Sequence, residues 1–423
     1  MNLLLSKKTD ILNRLIITIV LSITFLGIGN AQIGVSSDTV FHKFLTEYGI
    51  PITDNNEAIL LPSGEKKFID LFEKIKSAKH HIHLEYFNFR NDSIANALFS
   101  ILTAKVEEGV EVRALFDAFG NWSNNKPLKK KHLKDLRKRG IEIVKFDPFR
   151  FPYINHAMHR DHRKIVVIDG KVGYTGGMNI ADYYIHGTEQ VGNWYDMHMR
   201  IEGSAVKYLQ EIFLNTWNKE TKQHIGGPQY YPDPKFVDEE KKKTLAIVDR
   251  WPKRTPKAMR DAYKEAILSA ENHIRIINPY FVPTSSIRKV IRTALKRGVK
   301  VDIMIPLISD IPLTPDAAFY IAHTLYRKGA NIYLFNDGFH HTKIMTVDDR
   351  FCTVGSTNLN SRSLRYDYET NAFIFDEEIT HQLDSLFISD TDRSIKFTDE
   401  SWEERSNWRK FVGWFGNLLT PFL

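Results

Sequence analysis

An α/β protein of two tandem domains, each a mixed β-sheet flanked by helices, is the fold this sequence predicts, and three observations predict it. A motif H-x-K-x-x-x-x-D occurs twice, as His162, Lys164 and Asp169 and again as His341, Lys343 and Asp348. Six residues intervene between each Asp and a small-residue signature, Gly176-Gly177-Met178-Asn179 in the first copy and Gly355-Ser356-Thr357-Asn358 in the second. The flanks repeat as well: FIDLFEKIKSAKHHIHLEYF parallels AYKEAILSAENHIRIINPYF, VEEGVEVRALFD parallels ALKRGVKVDIMI, and LRKRGIEIVKF parallels LYRKGANIYLF. Repetition on this scale means one domain duplicated over most of the chain.

Taken in order, the elements alternate. Lys7, Lys8 and Arg14 precede an apolar run over residues 15–28, followed by Gly29 and Ala31 at the minus-three and minus-one positions of a cut before Gln32. That predicts a signal peptide over residues 1–31, or an uncleaved anchor, since the run falls short of the ~20 residues that a bilayer span requires. Either way the body is expected at a membrane, outside the cytosol on its periplasmic face if the signal is used. Phe68 to Ala78 carries apolar residues at helical spacing, and HIHLEYF is a short alternating strand. Ala97 to Glu108 is helical, Gly109 ends it, and VEVRALFD is a strand. KIVVID is a strand running into the turn Asp169-Gly170-Lys171, and VGYTGG returns. On a strand, alternate residues share a face, so His162 and Lys164 point the same way. The first domain is placed at 32–224, a Pro- and Lys-rich linker at 225–245, the second domain at 246–395, and an amphipathic tail at 396–423.

Composition narrows the class. With 423 residues and 43% hydrophobic content the chain buries sizeable cores. Lys and Arg exceed Asp and Glu by 58 to 51, a net charge of +7, which suits an anionic partner. The single cysteine, Cys352, excludes an internal disulfide and a Cys-rich zinc site, and reads as a packed strand residue. Basic runs at Lys126–Gly140 and Lys289–Lys300 suit anionic headgroups or are the wet faces of helices. The aromatic tail Trp408–Leu423 reads equally as a helix lying on a bilayer or as one packed on the domain.

Two His-Lys-Asn sets imply a chemistry. A neutral imidazole attacks phosphorus, a protonated one hands a proton to the departing oxygen, and the roles reverse when an acceptor arrives. Lys164 and Lys343 supply positive charge to phosphoryl oxygens, while Asn179 and Asn358 bind phosphate as neutral donors, so neither metal nor cofactor is expected. Each histidine needs a carboxylate on its other nitrogen, a role assigned to Asp196 in NWYDMHMRIEG and Glu369 in RYDYETNAF. Asp169 and Asp348 join the catalytic set as motif members, with turn hydrogen bonding as their expected part. His156, His159 and His340 are read as bystanders or helpers, and His80, His81 and His83 lack the carboxylate pattern of a metal site.

At these residues the sequence resembles the phospholipase D superfamily, with its paired HxKxxxxD motifs each followed by a G-G/S-x-N element. Within it, LEYFNFRND, GVEVRALFDAFG, GGMNIADYY, GNWYDMHMRIEG, NPYFVPT, GSTNLNSRS and LLTPFL resemble the blocks of bacterial cardiolipin synthases. The resemblance, from about Phe68 to the carboxyl terminus, implies two halves related by a pseudo-two-fold axis, an active site at their interface and a covalent phosphohistidine. It implies a phosphatidyltransferase that joins two phosphatidylglycerols into cardiolipin, releases glycerol and works at an anionic membrane surface. Those synthases usually carry two amino-terminal transmembrane helices, where this chain has one signal-like segment. The alternatives are a phospholipase D yielding phosphatidic acid, and, less favoured, a nucleic-acid phosphodiesterase or a non-catalytic lipid-binding protein. The oligomeric state is not legible.

Overall fold

The computed structural model describes residues 36–148, 158–234, 236–311 and 314–420. The expected leader over residues 1–31, and His156, lie outside them. The described residues open with α1 (Ser37–Glu47), whose Phe41 and Leu45 pack into the core of the second half. The first half then runs β1 (Ile52–Leu61), α2 (Gly64–Lys76), β2 (His81–Tyr86), α3 (Ser93–Glu107), β3 (Glu111–Asp117), α4 (Ala118–Trp122), α5 (Lys130–Lys138), β4 (Glu142–Phe146), β5 (Lys164–Ile168), β6 (Val172–Gly176), α6 (Tyr183–His186), β7 (Trp194–Tyr195), β8 (His198–Gly203) and α7 (Val206–Thr221). The second runs β9 (Lys243–Arg250), α8 (Ala258–Ser269), β10 (His273–Ile277), α9 (Ser285–Lys296), β11 (Lys300–Pro306), α10 (Thr314–Tyr326), β12 (Asn331–Phe335), β13 (Phe339–His340), β14 (Ile344–Val347), β15 (Phe351–Gly355), α11 (Ser361–Arg365), β16 (Glu369–Phe375), α12 (Glu377–Thr391), β17 (Ser394–Lys396), α13 (Asp399–Glu403) and α14 (Asn407–Leu418).

Helix starts are set by caps that lie ahead of the first apolar residue. Ser63 accepts the Lys66 N–H and starts α2 four residues before Phe68, while Asp92 accepts the Ala95 N–H and starts α3 at Ser93. β2 is buried at every position. A strand with both faces covered needs helices on either side, which is how the two halves are layered.

The two predicted sheets are joined. One 15-stranded sheet runs β17-β12-β11-β10-β14-β15-β16-β9-β1-β8-β6-β5-β2-β3-β4. Read outward from its centre, each half gives the same sequence of strands, with β17 added at one end. The duplicated edges β1 and β9 pair antiparallel, Ile52 opposite Ala246, so each satisfies the other's open backbone groups. Sequence reading placed a separate sheet in each half and did not find β1, whose ITDNNEAILL is too polar at its start to look like a central strand.

The sheet folds over on itself about this seam. Ile165, Val167, Met199 and Ile201 of the first half share one apolar cluster with Ile344, Val354, Ala372 and Ile374 of the second. Stacking these faces sets the start of β5 against the start of β14, where the two motifs lie. The expected linker, residues 225–245, ends inside β9, which begins at Lys243, and residues 225–234 lie against the first half. Tyr230 there is buried and its hydroxyl donates to Glu111 at 2.7 Å.

Candidate active site

Each motif histidine is anchored by backbone from the opposite half. The segment before β5 runs beside the segment before β16: Tyr368 N–H donates to the Arg160 carbonyl (2.9 Å) and His162 N–H to the Tyr368 carbonyl (3.0 Å). In the other copy β13 pairs parallel with β7, and His341 N–H donates to the Tyr195 carbonyl at 2.7 Å. The residue after each accepting carbonyl is the carboxylate.

The carboxylates therefore cross between halves. Glu369 Oε1 lies 3.1 Å from His162 Nδ1, and Asp196 Oδ2 lies 2.6 Å from His341 Nδ1. An ionised carboxylate only accepts, so Nδ1 carries the proton in both rings and Nε2 is left for chemistry. Both carboxylates are fully enclosed. Burial works against their charge, but Lys343 and His341 hold Asp196 below its ordinary value, and His162 and Lys164 do the same for Glu369.

Both lysines sit in the same enclosure, each Nζ donating to the carbonyl of its own motif histidine. Burial lowers Lys164 to about 7 and Lys343 to about 8, with the second ammonium adding to the effect on Lys164. Burial, then the neighbouring Lys164, brings His162 to about 4; burial, then Lys343, brings His341 to about 3. Each imidazole also feels the lysine of the other half, so the two motifs form one electrostatic site. Unliganded, both rings are neutral at pH 7. A bound phosphodiester anion returns negative charge to the enclosure and raises the ring that must act as acid.

Strand register places the Asn signatures. Val166 pairs with Tyr174 and Ile344 with Val354, so the chain leaves β6 and β15 beside the motif lysines. Asn179 and Asn358 are both buried there. Lys67 of α2, fully buried, donates to the carbonyls of Met178 (3.0 Å) and Asn179 (2.9 Å) and so fixes the first of these turns. Nothing in the sequence distinguished Lys67 from other helix lysines.

The two signatures differ for a reason. A Cβ at Gly177 would stand 2.1 Å from Asp196 Oδ1, so only glycine admits that carboxylate. Its counterpart Ser356 instead donates its hydroxyl to Glu369. Gly with Asp and Ser with Glu are two solutions to holding one carboxylate against one imidazole.

Two expected members are elsewhere, which corrects their place in the catalytic set. Asp169 and Asp348 occupy positive-φ turns (φ 53° and 52°) at the far ends of β5 and β14. Asp169 accepts the N–H groups of Lys79, His80 and His81, and Asp348 those of Glu271, Asn272 and His273. Each ties its hairpin to the neighbouring strand.

Other histidines have their own partners. His159 Nδ1 is 2.8 Å from the Tyr366 carbonyl, His340 Nε2 is 2.8 Å from Asp390, and His83 lies within hydrogen-bond reach of Gln210. Among the described residues, His273, Asp349 and Asp384 bring metal-ligating atoms within 4.8 Å of one another, at the strand ends away from the site. Arg275 already lies among them, 2.7 Å from Asp384 and 2.8 Å from His273.

Aromatic rings wall the enclosure: Phe87 packs 5.2 Å from His162, and Trp194 and Tyr280 pack 5.4 and 5.9 Å from His341. Beneath it Arg163 bridges the halves, paired with Asp249 of β9 (2.8 Å) and Glu85 of β2 (3.2 Å). Two neutralisable imidazoles, two lysines and a desolvated pocket can transfer a phosphoryl-linked group by way of an N–P bond.

Comparison with known proteins agrees with this chemistry. The family described as "Cardiolipin synthase, PLD-like domain" matches residues 71–217 and 263–391. Cardiolipin synthase 2 of Staphylococcus epidermidis is 35% identical over 93% of this chain and 80% of its own length. Cardiolipin synthase of Staphylococcus aureus is 36% identical over 88% of this chain and 74% of its own. In fold, the chain is similar to phosphatidylserine synthase of Haemophilus influenzae (TM-score 0.69, 16% identity, 92% of this chain and 100% of that one).

Proposed function

The chain belongs to the cardiolipin synthase family of phospholipase D-like proteins and is a phosphatidyltransferase, and we propose that it joins two phosphatidylglycerols into cardiolipin and releases glycerol. The observation that carries this reading is the pair of cross-half contacts, Glu369 with His162 and Asp196 with His341, which leaves two Nε2 atoms facing one lysine-lined enclosure.

His162 Nε2 attacks the phosphorus of the first phosphatidylglycerol while His341, protonated on Nε2 once the phosphate is bound, gives that proton to the departing glycerol oxygen. The P–O bond breaks as the N–P bond forms. Glycerol leaves, and His341, now neutral, takes the proton from a headgroup hydroxyl of a second phosphatidylglycerol. That oxygen attacks the phosphatidyl-histidine, the N–P bond breaks, and His162 is regenerated. Lys164, Lys343, Asn179 and Asn358 bear on the charge of the phosphoryl oxygens throughout.

The apolar wall of Phe87, Trp194 and Tyr280 supports a lipid hydroxyl over water as acceptor, because it limits the water that reaches the N–P bond. The positive net charge supports an anionic membrane surface as the working environment. As part of the same proposal, residues 1–31 place the enzyme at the cell membrane on the face away from the cytosol; the support is the basic-then-apolar pattern of that segment.

The test is mass spectrometry of lipids after incubation with phosphatidylglycerol vesicles, beside His162→Ala and His341→Ala. Cardiolipin and free glycerol, lost in both variants, is the expected result. Phosphatidic acid as sole product makes the enzyme a hydrolase, and an unchanged lipid pool overturns the reading.

A further inference from the structure

Helix α14 is fixed to the protein on one side and bare on the other. Gly413 and Gly416 let it approach α10 so closely that a Cβ would stand 2.5 Å from the Asp316 carbonyl oxygen or 2.9 Å from the Ala317 methyl. Just before the helix, Arg405 pairs with Asp316 and lies 4.1 Å from the Phe319 ring centre. This helix is therefore docked in one orientation.

The orientation turns its apolar residues outward. Trp408, Phe411, Trp414, Phe415, Leu418 and Leu419 are 70, 50, 43, 49, 54 and 40% exposed. At about 100° per residue they fill an arc of about 140° opposite the two glycines. Phe411 packs 5.8 Å from Trp408 and 5.7 Å from Trp414, so the rings form one patch rather than scattered contacts. A contiguous apolar patch of this kind marks an interaction surface.

Charge says what the surface meets. Arg288 of α9 donates to the Asn417 side chain at 2.6 Å, so α9 lies beside the end of α14. Along α9, Lys289, Arg292 and Lys296 share a groove with Lys328. An aromatic face edged by cations fits the boundary between acyl chains and anionic headgroups. A second copy meeting this face about a two-fold axis would bring the cationic stripes together, which is unfavourable.

The loop beside the active site reaches the start of this helix. Tyr280, beside His341, donates to Asp310 at 2.7 Å. Asp310 belongs to the loop after β11, where Ile308 and Ile311 are exposed and Leu307 lines a groove with Arg405 and Arg409 at the start of α14. A chain of contacts thus leads from the nucleophilic enclosure to the start of α14.

We propose that the outer face of α14, with the cationic side of α9, docks on an anionic lipid bilayer and sets the mouth of the active site against it. This rests on the reading of the enzyme as one that acts on phospholipids.

The native cysteine Cys352 is buried, so Phe411→Cys in the full chain accepts a polarity-sensitive thiol label at a single accessible position. With phosphatidylglycerol vesicles the label should shift to the blue and be quenched by brominated acyl chains, with a weaker response to phosphatidylcholine. The readout is local, so attachment elsewhere does not mask it, and it needs no turnover. No shift with either vesicle overturns the proposal; a shift without lipid that grows with protein concentration assigns the face to a second copy and also overturns it. In Phe411→Ser/Phe415→Ser, activity on phosphatidylglycerol vesicles should fall about tenfold, given the apolar area withdrawn from the bilayer. Activity on dihexanoyl-phosphatidylglycerol below its micelle concentration should be unchanged. Equal loss on both substrates makes the residues structural and overturns the docking role. If neither substrate turns over, the catalytic reading fails while the label still decides docking.

Discussion

Asp196 Oδ2 lies 2.6 Å from His341 Nδ1, and the two residues belong to opposite halves of the duplicated fold. Since Glu369 serves His162 in the same crossed manner, neither half holds a complete histidine–carboxylate pair of its own. An active site divided in this way is assembled only when the sheet folds over and the halves close.

Replacing either carboxylate by its amide should leave the fold intact and remove the charge that holds the proton on Nδ1. For Asp196→Asn and Glu369→Gln, turnover should fall by about a hundredfold or more, with little change in KM. Steady-state kinetics on phosphatidylglycerol checks this, and an amide variant with full kcat would remove the orienting role.

The assignment of acid to His341 has its own signature. With a phosphatidyl ester of a good leaving group such as p-nitrophenol, the first step needs no proton, so His341→Ala should still release nitrophenolate in a burst. His162→Ala should release none. A burst confined to His162→Ala would exchange the two roles.

At the two Gly/Ser positions the expected effects are unequal. Gly177→Ser inserts a side chain where Asp196 already stands, 2.1 Å from the new Cβ, and should abolish most activity by displacing that carboxylate. Ser356→Gly deletes one donor to Glu369 and the hydroxyl that accepts the Thr370 N–H, for about 1–3 kcal/mol of lost support, without displacing the carboxylate. Equal losses in kcat/KM would show that the close approach at Gly177 has no functional weight.

pH dependence follows from burial. In the free enzyme His162 must be neutral to attack, and it protonates only near 4, while Lys164 and Lys343 lose charge near 7 and 8. Because His341 takes up its catalytic proton only when phosphate binds, the profile of kcat/KM should fall steadily as pH rises above about 5, with a steeper alkaline limb from about 7 as the lysines deprotonate. Lys343→Arg, which stays charged, should move the alkaline limb upward; a limb unmoved in that variant and in Lys164→Arg would assign it to another group.

Arg163 is a matter of stability. It is buried between Asp249 and Glu85, with Tyr368 and Trp251 at 4.9 and 5.6 Å from its guanidinium. Arg163→Ala strands Asp249 and removes the donor to Glu85, whose carboxyl is pushed well up by burial and the neighbouring Asp161, and should cost about 3–5 kcal/mol in denaturant unfolding. A loss under 1 kcal/mol would mean that water or rearrangement satisfies them.

The sequence by itself determined a great deal, because a duplicated motif is a local pattern and the chemistry of its residues travels with it. Two α/β halves, the paired His, Lys and Asn sets, and Asp196 and Glu369 as their carboxylates are all legible in residue type and spacing. Caps shifted α2 and α3 only by a few residues. What the tertiary structure alone decided is how these pieces are shared. That β1 and β9 fuse two sheets into one depends on pairing between segments almost two hundred residues apart, and a short polar-headed strand carries no sign of its partner. Which carboxylate serves which histidine follows from backbone pairing between halves, invisible in either repeat alone. The same holds for Lys67, an ordinary helix lysine until burial gives it two carbonyls to hold, whereas the motif aspartates take the turn positions that the sequence leads one to expect. Helix α14 could be read from sequence as resting on a bilayer or on the protein. Its glycines pack on α10 while its aromatic arc stays open, a division that only the docked orientation of the helix fixes.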